Sequence, residues 1–134
     1  MRAVYDTNIF VSAFAIPGGR AGAAILKAIE GDVHLVISRD IIREVIEVMA
    51  RKFDRNPEEL ARMAVYLSEL AEVVTPRRRL KVLRDEPDNR ILECAVAGKA
   101  DVVVTGDQAM LRLGSYRRIR ILSLKDFLAG AGPA

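Results

Sequence analysis

The chain has 134 residues, of which 51% are hydrophobic and 29% are charged, and its formal net charge is +3. This length and composition predict one globular, soluble domain, placed at residues 1–129 before a mobile tail at 130–134, and they exclude a disordered chain. No apolar run reaches the roughly 18 residues of a membrane span, and Asp6 breaks the stretch where a signal peptide would be apolar, so a cytoplasmic protein without a membrane partner is expected.

The predicted elements alternate between strands and helices along the chain. Apolar runs of strand length occur at residues 3–5, 33–37, 102–104 and 120–122, with a weaker one at 73–75. Helical spacing of apolar residues occurs at residues 20–30, 39–53, 57–71, 87–99, 108–113 and 124–129. This alternation predicts an α/β fold built on a parallel sheet.

Two aspartates follow directly on predicted strands. Asp6 closes the first strand in VYDTNIF, and Asp107 follows the strand at 102–104 in VVVTGD. Because the carboxyl ends of parallel strands meet at one edge of the sheet, both carboxylates are expected at the same rim. Either aspartate alone could be a helix N-cap, a role worth about 1 kcal/mol. The neighbouring Asn8 and Thr105 could orient the carboxylates by hydrogen bonds or satisfy loop backbone.

Glu44 lies on the predicted helix 39–53, in the stretch SRDIIREVIEVMARKF. At about 100° per residue it falls about 40° from Val48, which belongs to the apolar stripe of that helix. Glu44 is therefore expected at the edge of the core, whereas Asp40 and Glu47 lie farther toward solvent. The alternative is that Glu44 belongs to an ordinary solvated helix face.

Asp88 opens the predicted helix 87–99 and shares the core-facing stripe with Leu92 and Ala95, at spacings of four and seven residues. Its carboxylate is therefore expected to point inward or toward the rim of the sheet. The alternative is a plain N-cap after Pro87, with the preceding acids adding negative charge near the helix dipole.

Four acids are thus expected near one rim: Asp6, Glu44, Asp88 and Asp107. Carboxylates that converge within several ångströms repel one another, so protons or a cation must neutralise them. The chain has one cysteine, Cys94, and one histidine, His34, which we interpret as residues of the core or its edge. Oxygen ligands without thiolate or imidazole favour Mg²⁺ or Mn²⁺. We therefore interpret the four acids as metal ligands and catalytic residues.

Basic residues form two groups in the sequence. The first contains Arg77, Arg78, Arg79, Lys81 and Arg84, and the second contains Arg112, Arg117, Arg118 and Arg120. Such groups can bind the phosphates of a nucleic acid. The alternative is that they are solvated surface residues that keep the protein soluble.

The chain resembles the PIN domain family of small metal-dependent nucleases, which includes the VapC-like toxins of toxin-antitoxin pairs. The similarity runs from VYDTNIFVSAF through SRDIIREVIEVM and DEPDNRILECAVAGKADVVVTGD to IRILSLKDFL. The positions that match the family's acidic quartet are Asp6, Glu44, Asp88 and Asp107, with Asn8 and Thr105 at supporting polar positions. In many relatives another acid directly precedes the aspartate of the Asp-Asn pair. Here Pro87 precedes Asp88, which leaves open whether Asp85 or Glu86 supplements it.

The resemblance implies a three-layer α/β/α sandwich around a central, mostly parallel sheet. It implies a Mg²⁺- or Mn²⁺-dependent ribonuclease, a homodimer, and a cognate antitoxin whose segment would cover the acidic pocket. The RNA-binding residues would then come from the basic groups, namely Arg77, Arg78, Arg79, Arg112, Arg117 and Arg118. Two other functions stay open, a phosphatase with Asp6 as nucleophile and an inactive module that binds RNA or a protein.

Overall fold

The computed structural model describes residues 1–130, in which six strands and seven helices follow one another. The strands are β1 Arg2–Tyr5, β2 His34–Ser38, β3 Glu72–Val74, β4 Val102–Thr105, β5 Ser115–Tyr116 and β6 Ile119–Ser123. The helices are α1 Thr7–Ala15, α2 Arg20–Ile29, α3 Arg39–Phe53, α4 Pro57–Leu70, α5 Glu86–Ala97, α6 Gln108–Leu113 and α7 Leu124–Leu128. Apart from Gly130, the predicted tail at 130–134 lies outside the described residues.

The strands form one sheet in the order β3-β2-β1-β4-β6-β5. All neighbouring pairs are parallel except β5 with β6, which is antiparallel. All four residues of β4 are buried, and since successive side chains on a strand point to opposite faces, both faces of the sheet are covered. The prediction of an α/β/α sandwich with a mostly parallel sheet is confirmed.

The first helix, α1, was not among the predicted elements. Its buried residues include three in a row, Ile9, Phe10 and Val11, so its apolar residues do not show the one-sided spacing that marks a surface helix. The ring of Phe10 lies 5.9 Å from that of Tyr5 at the end of β1. Tertiary packing against the sheet therefore stabilises this helix more than its local sequence does.

The C-terminus of α5 approaches the sheet closely. A Cβ atom on Gly98, the residue after α5, would lie 2.4 Å from Val36 Cγ1 of β2. Only glycine fits at this contact, and it fixes how α5 lies across the sheet. The opposite end of the same helix carries Asp88, so this packing also contributes to placing that acid.

The two residues predicted at the core or its edge differ in their surroundings. Cys94 is fully buried in α5. His34 is exposed at the start of β2, where its Nε2 lies 2.7 Å from Glu72 Oε1 of β3. The histidine therefore pairs with its neighbouring strand at the surface and stands apart from the acids at the other end of the sheet.

In residues 1–130 no single helix is long and apolar enough to span a membrane. Helices α1 and α2 taken together would be long and apolar enough for a span, but the chain bends by 104° where they connect.

Candidate metal centre

Asp6 lies between the two central strands at the carboxyl edge of the sheet. Its backbone N–H donates to Val104 O of β4 at 2.9 Å, and only 6% of the residue is exposed. The hydroxyl of Thr105 donates to Asp6 Oδ2 at 2.5 Å. Asp6 also occupies the N-cap position of α1, where its side chain forms no capping hydrogen bond within the described residues, so the Thr105 hydroxyl orients the carboxylate.

Asp107 follows β4 and reaches the same rim. Its Oδ2 accepts a hydrogen bond from the Met110 backbone N–H at 2.9 Å, which caps α6. Its own backbone N–H donates to Thr105 Oγ1 at 3.0 Å. The buried Thr105 hydroxyl thus connects Asp6 and Asp107, and the capping role of Asp107 uses one carboxylate oxygen and leaves the other available.

Asp88 lies in the first turn of α5 and is 8% exposed. The alternative that Asp88 is the N-cap is wrong, because the helix begins at Glu86 and its N-cap is Asp85. Within the described part of the chain, Asp88 Oδ2 is buried and has no hydrogen-bond partner. One carboxylate oxygen each from Asp85, Asp88 and Asp107 lie within 4.8 Å of one another.

Glu44 projects from α3 toward the same edge and is half-buried. Its Oε2 accepts a hydrogen bond from Thr7 Oγ1 at 3.2 Å, and Thr7 is 3% exposed at the start of α1. Thr7 was not identified from the sequence as a positioning residue. The position next to Asp6 was a signal for it, but only the unpredicted helix α1 directs its hydroxyl to Glu44.

The electrostatics of the acids show that they share one environment. Burial, together with the charges of Asp107, Asp6 and Asp85, raises the pKa of Asp88 from its ordinary value of 3.8 to about 7. Burial also raises the pKa of Asp6. The hydrogen bond from Thr105 lowers this pKa, and the charge of Asp107 raises it. Each acid therefore makes it harder to ionise the next.

Glu44 belongs to the same electrostatic group. Burial raises the pKa of its carboxyl, the Thr7 hydrogen bond lowers it, and the charge of Asp6 raises it again. The four predicted acids are thus coupled through Asp6, which acts on the pKa of both Glu44 and Asp88. The structure adds Asp85 to this set.

These residues fit a divalent cation. The available donors are carboxylate oxygens, the ligand type that Mg²⁺ and Mn²⁺ prefer, and the oxygen of Asp88 noted above is buried without a partner among residues 1–130. A buried carboxylate without a partner costs free energy unless a proton or a cation neutralises it. A cation at this position would satisfy that oxygen and relieve the mutual repulsion of the acids.

Two asparagines near the site have different surroundings. Asn8, predicted as a supporting residue, has an exposed side chain in the first turn of α1, and it is its backbone N–H that lowers the pKa of Asp6. Asn89 is fully buried; its Oδ1 accepts from the N–H groups of Val82 and Leu83, and its Nδ2 donates to Leu83 O at 2.8 Å. Asn89 therefore fastens the segment before α5 onto that helix, a role not predicted from the sequence.

The basic groups are only partly brought together. Arg77 and Arg78 line one groove of about 670 Å³ with Arg117 and with Lys99, which was not predicted. Arg112 and Arg118 are exposed but do not line this groove.

Arg79 differs from its two neighbours in sequence. Its Nη1 lies 3.3 Å from both Asp40 Oδ2 and Glu93 Oε1. Glu93 is 2% exposed and also accepts hydrogen bonds from Leu80 N and Arg90 Nη2. The charge of Arg79 is therefore engaged within the protein and holds the segment between β3 and α5.

The fold and the site define an α/β protein with a carboxylate centre suited to a divalent ion. A sequence model of the PIN domain matches residues 2–109, and the chain therefore belongs to the PIN domain family, a family of nucleases. The matched range includes all four predicted acids. The uncharacterized protein MJ1680 of Methanocaldococcus jannaschii is 27% identical over 132 residues, covering 93% of this chain and 84% of that protein.

Two solved structures share the fold. One is a chain in the crystal structure of VapBC2 from Rickettsia felis bound to a DNA fragment from the VapBC2 promoter. It matches with a TM-score of 0.65 and 16% identity, over 92% of this chain and 98% of that chain. A chain of VapBC-1 from nontypeable Haemophilus influenzae, solved at 2.2 Å, matches with a TM-score of 0.64 and 18% identity over 93% of this chain and 99% of that chain. At these identities the likeness concerns the fold.

Proposed function

We propose that this PIN domain protein is a metal-dependent endoribonuclease and the toxin of a toxin-antitoxin pair, with its activity in a single domain at residues 1–129. The observation that carries the proposal is the buried, unpartnered carboxylate oxygen of Asp88 beside two further aspartates at the rim of the sheet. Membership of a nuclease family supports the same conclusion.

The residues proposed to hold Mg²⁺ or Mn²⁺ are Asp6, Glu44, Asp88 and Asp107. A divalent ion in such a site lowers the pKa of bound water and stabilises the charge on the leaving oxygen of a phosphodiester. The protein's own contribution is to hold the acids in fixed positions. The Thr105 hydroxyl orients Asp6 and accepts a hydrogen bond from the backbone N–H of Asp107. The Thr7 hydroxyl orients Glu44.

The groove lined by Arg77, Arg78 and Arg117 is proposed to bind RNA phosphates, with Lys99 as a fourth cation. Ala97, the last residue of α5, is nine positions after Asp88, a rise of about 14 Å at 1.5 Å per residue, and Lys99 follows the end of the helix. A strand of several nucleotides would therefore span the acidic site and the basic groove. The positive charges would attract a polyanion that the acids alone would repel. The exposed Arg112 and Arg118 would add to this attraction at longer range.

A cognate antitoxin and a homodimer are proposed as the protein partners, in the cytoplasm. The surface supports a protein interface, because the large apolar side chains of Ile16, Leu26, Ile29, Val65 and Tyr66 are 40% to 65% exposed. Phe10, Phe14 and Ile25 line an apolar groove beside Tyr66. Exposed apolar surface of this kind is typical of sites that bind another protein.

The experiment that tests the proposed function is an RNA cleavage assay with Mg²⁺ or Mn²⁺. Wild type is compared with Asp6→Asn and Asp107→Asn, with an EDTA-treated sample as the metal-free reference. We expect cleavage by wild type, loss in EDTA, and a fall of at least about 100-fold in both variants, since each removes a charged group from the site. Equal activity of the three proteins would contradict the catalytic assignment, and RNA binding without cleavage by wild type would favour an inactive module.

A further inference from the structure

Asp85 occupies the N-cap position of α5 but does not cap the helix. An aspartate at this position usually accepts a hydrogen bond from a backbone N–H of the first turn. Within residues 1–130, the Asp85 side chain forms no such bond. One of its carboxylate oxygens instead lies within 4.8 Å of oxygens from both Asp88 and Asp107.

A second observation at the same place points to a ligand. Asp88 is 8% exposed, and its Oδ2 has no hydrogen-bond partner in the described part of the chain. This residue is one of the three acids in the group formed with Asp85 and Asp107. The cluster therefore contains a buried acceptor that no residue in the range 1–130 satisfies.

The position of Asp85 is fixed by the protein on both sides. Before it, the backbone of Val82 and Leu83 is bound by the buried Asn89 side chain. After it, Asp88 N–H donates to Asp85 O at 3.2 Å. The orientation of Asp85 toward the other acids is thus a consequence of a well-bound segment.

Glu86, the adjacent acid, is directed elsewhere. It is exposed, and its Oε2 accepts a hydrogen bond from Arg90 Nη1 at 3.1 Å, one turn along α5. The sequence left open whether Asp85 or Glu86 supplements Asp88. The contacts of the two side chains distinguish them.

We propose that Asp85 is a direct ligand of the divalent ion, together with Asp88 and Asp107, and forms the solvent-exposed side of the site. The inference rests on the proposed function, because it requires that the acidic site binds a divalent ion. It assigns to Asp85 the supplementary role for which Pro87 is unsuited, since proline directly precedes Asp88 and has no ligand group.

The test is a titration of the full chain with Mn²⁺. Binding is measured as the loss of the electron paramagnetic resonance signal of free Mn²⁺. Asp85→Asn is the test variant, and Glu86→Gln is the matched control that removes one charge from the same helix turn. Asparagine is as good an N-cap as aspartate, so α5 should form in both variants, which circular dichroism melting checks.

We expect Asp85→Asn to weaken Mn²⁺ binding about tenfold or more, as loss of a ligand should cost at least what loss of an outer-shell partner does. Glu86→Gln should bind within about twofold of wild type, the small effect expected of an exposed charge. Wild-type affinity in Asp85→Asn would overturn the inference and leave the proposed function intact. Equal weakening of Mn²⁺ binding in both variants would also overturn the inference, because the effect would then come from charge and not from direct ligation. No Mn²⁺ binding by wild type would contradict the proposed function itself.

Discussion

The hydroxyl of Thr105 donates a hydrogen bond of 2.5 Å to Asp6 Oδ2, joining two residues that are 99 positions apart in the chain. The same hydroxyl oxygen accepts the backbone N–H of Asp107. One buried side chain therefore sets the relative placement of two acids that come from neighbouring strands. Its removal should affect both of them.

We predict that Thr105→Val weakens Mn²⁺ binding by about 10-fold to 100-fold, the usual range for losing a group that orients a metal ligand. Valine has the shape of threonine but leaves Asp6 Oδ2 and the Asp107 N–H without their partner, which should also destabilise the fold by about 1 to 3 kcal/mol. Titration with Mn²⁺ and urea unfolding measure the two effects. Thr105→Ser keeps the hydroxyl and should retain most of the affinity; a Thr105→Val protein with wild-type affinity would contradict the positioning role.

The pKa of Asp88 predicts how stability of the metal-free protein depends on pH. Burial and neighbouring acids raise the folded-state pKa of Asp88 from its ordinary value of 3.8 to about 7. As pH rises through this window, the unfolded chain loses the Asp88 proton while the folded protein retains it, so the folded state loses stability. Above the folded-state pKa the full cost is present.

We therefore predict that metal-free Asp88→Asn melts above wild type at pH 8. The gain should be about 1 kcal/mol or more, or roughly 3 °C in Tm. At pH 4 the two proteins should melt nearly together. Adding Mn²⁺ at pH 8 should reverse the order, because an ion that binds the folded wild type stabilises it. Scanning calorimetry at both pH values measures these differences, and a lower Tm for metal-free Asp88→Asn at pH 8 would show that the carboxylate is not under electrostatic cost.

The basic groove predicts a salt-dependent contribution to RNA binding. We expect the double variant Arg77→Ala with Arg117→Ala, made in an Asp107→Asn background to prevent cleavage, to bind a mixed-sequence single-stranded RNA more weakly than that background alone. The slope of log K against log salt should fall by about 1.4, or 0.7 for each lost phosphate contact. Fluorescence anisotropy at several salt concentrations measures this slope. Arg62→Ala on α4 removes an exposed arginine outside the groove; a slope change as large as that of the double variant would mean that total charge alone controls binding.

Much of the fold follows from the pattern of apolar residues. The runs that became β1, β2, β4 and β6 alternate with helices, and this is enough to predict a parallel sheet and to place Asp6 and Asp107 at one edge of it. The two-residue strand β5 was not predicted, because its pairing with β6 involves only Ser115 and Tyr116.

The rest of the site depends on contacts between distant residues. Thr7 reaches Glu44 across 37 positions, and only because residues 7–15 are helical, which packing decides. Arg79 is an ion-pair partner of Asp40, 39 positions away, although its sequence neighbours made it resemble a free cation. Asp85 and Asn89 owe their roles to the path of the segment before α5, and no local periodicity describes that path.

The proposed metal site requires acids from separate elements to hold one divalent ion at the carboxyl edge of the sheet. The most direct measurement is the anomalous difference density of a crystal soaked in Mn²⁺. We expect a peak at bonding distance, about 2.1 to 2.3 Å, from carboxylate oxygens of both Asp88 and Asp107. A peak that lies beyond bonding distance of Asp88 would contradict the proposed metal site. Well-ordered acids with no peak between them at saturating Mn²⁺ would also contradict it.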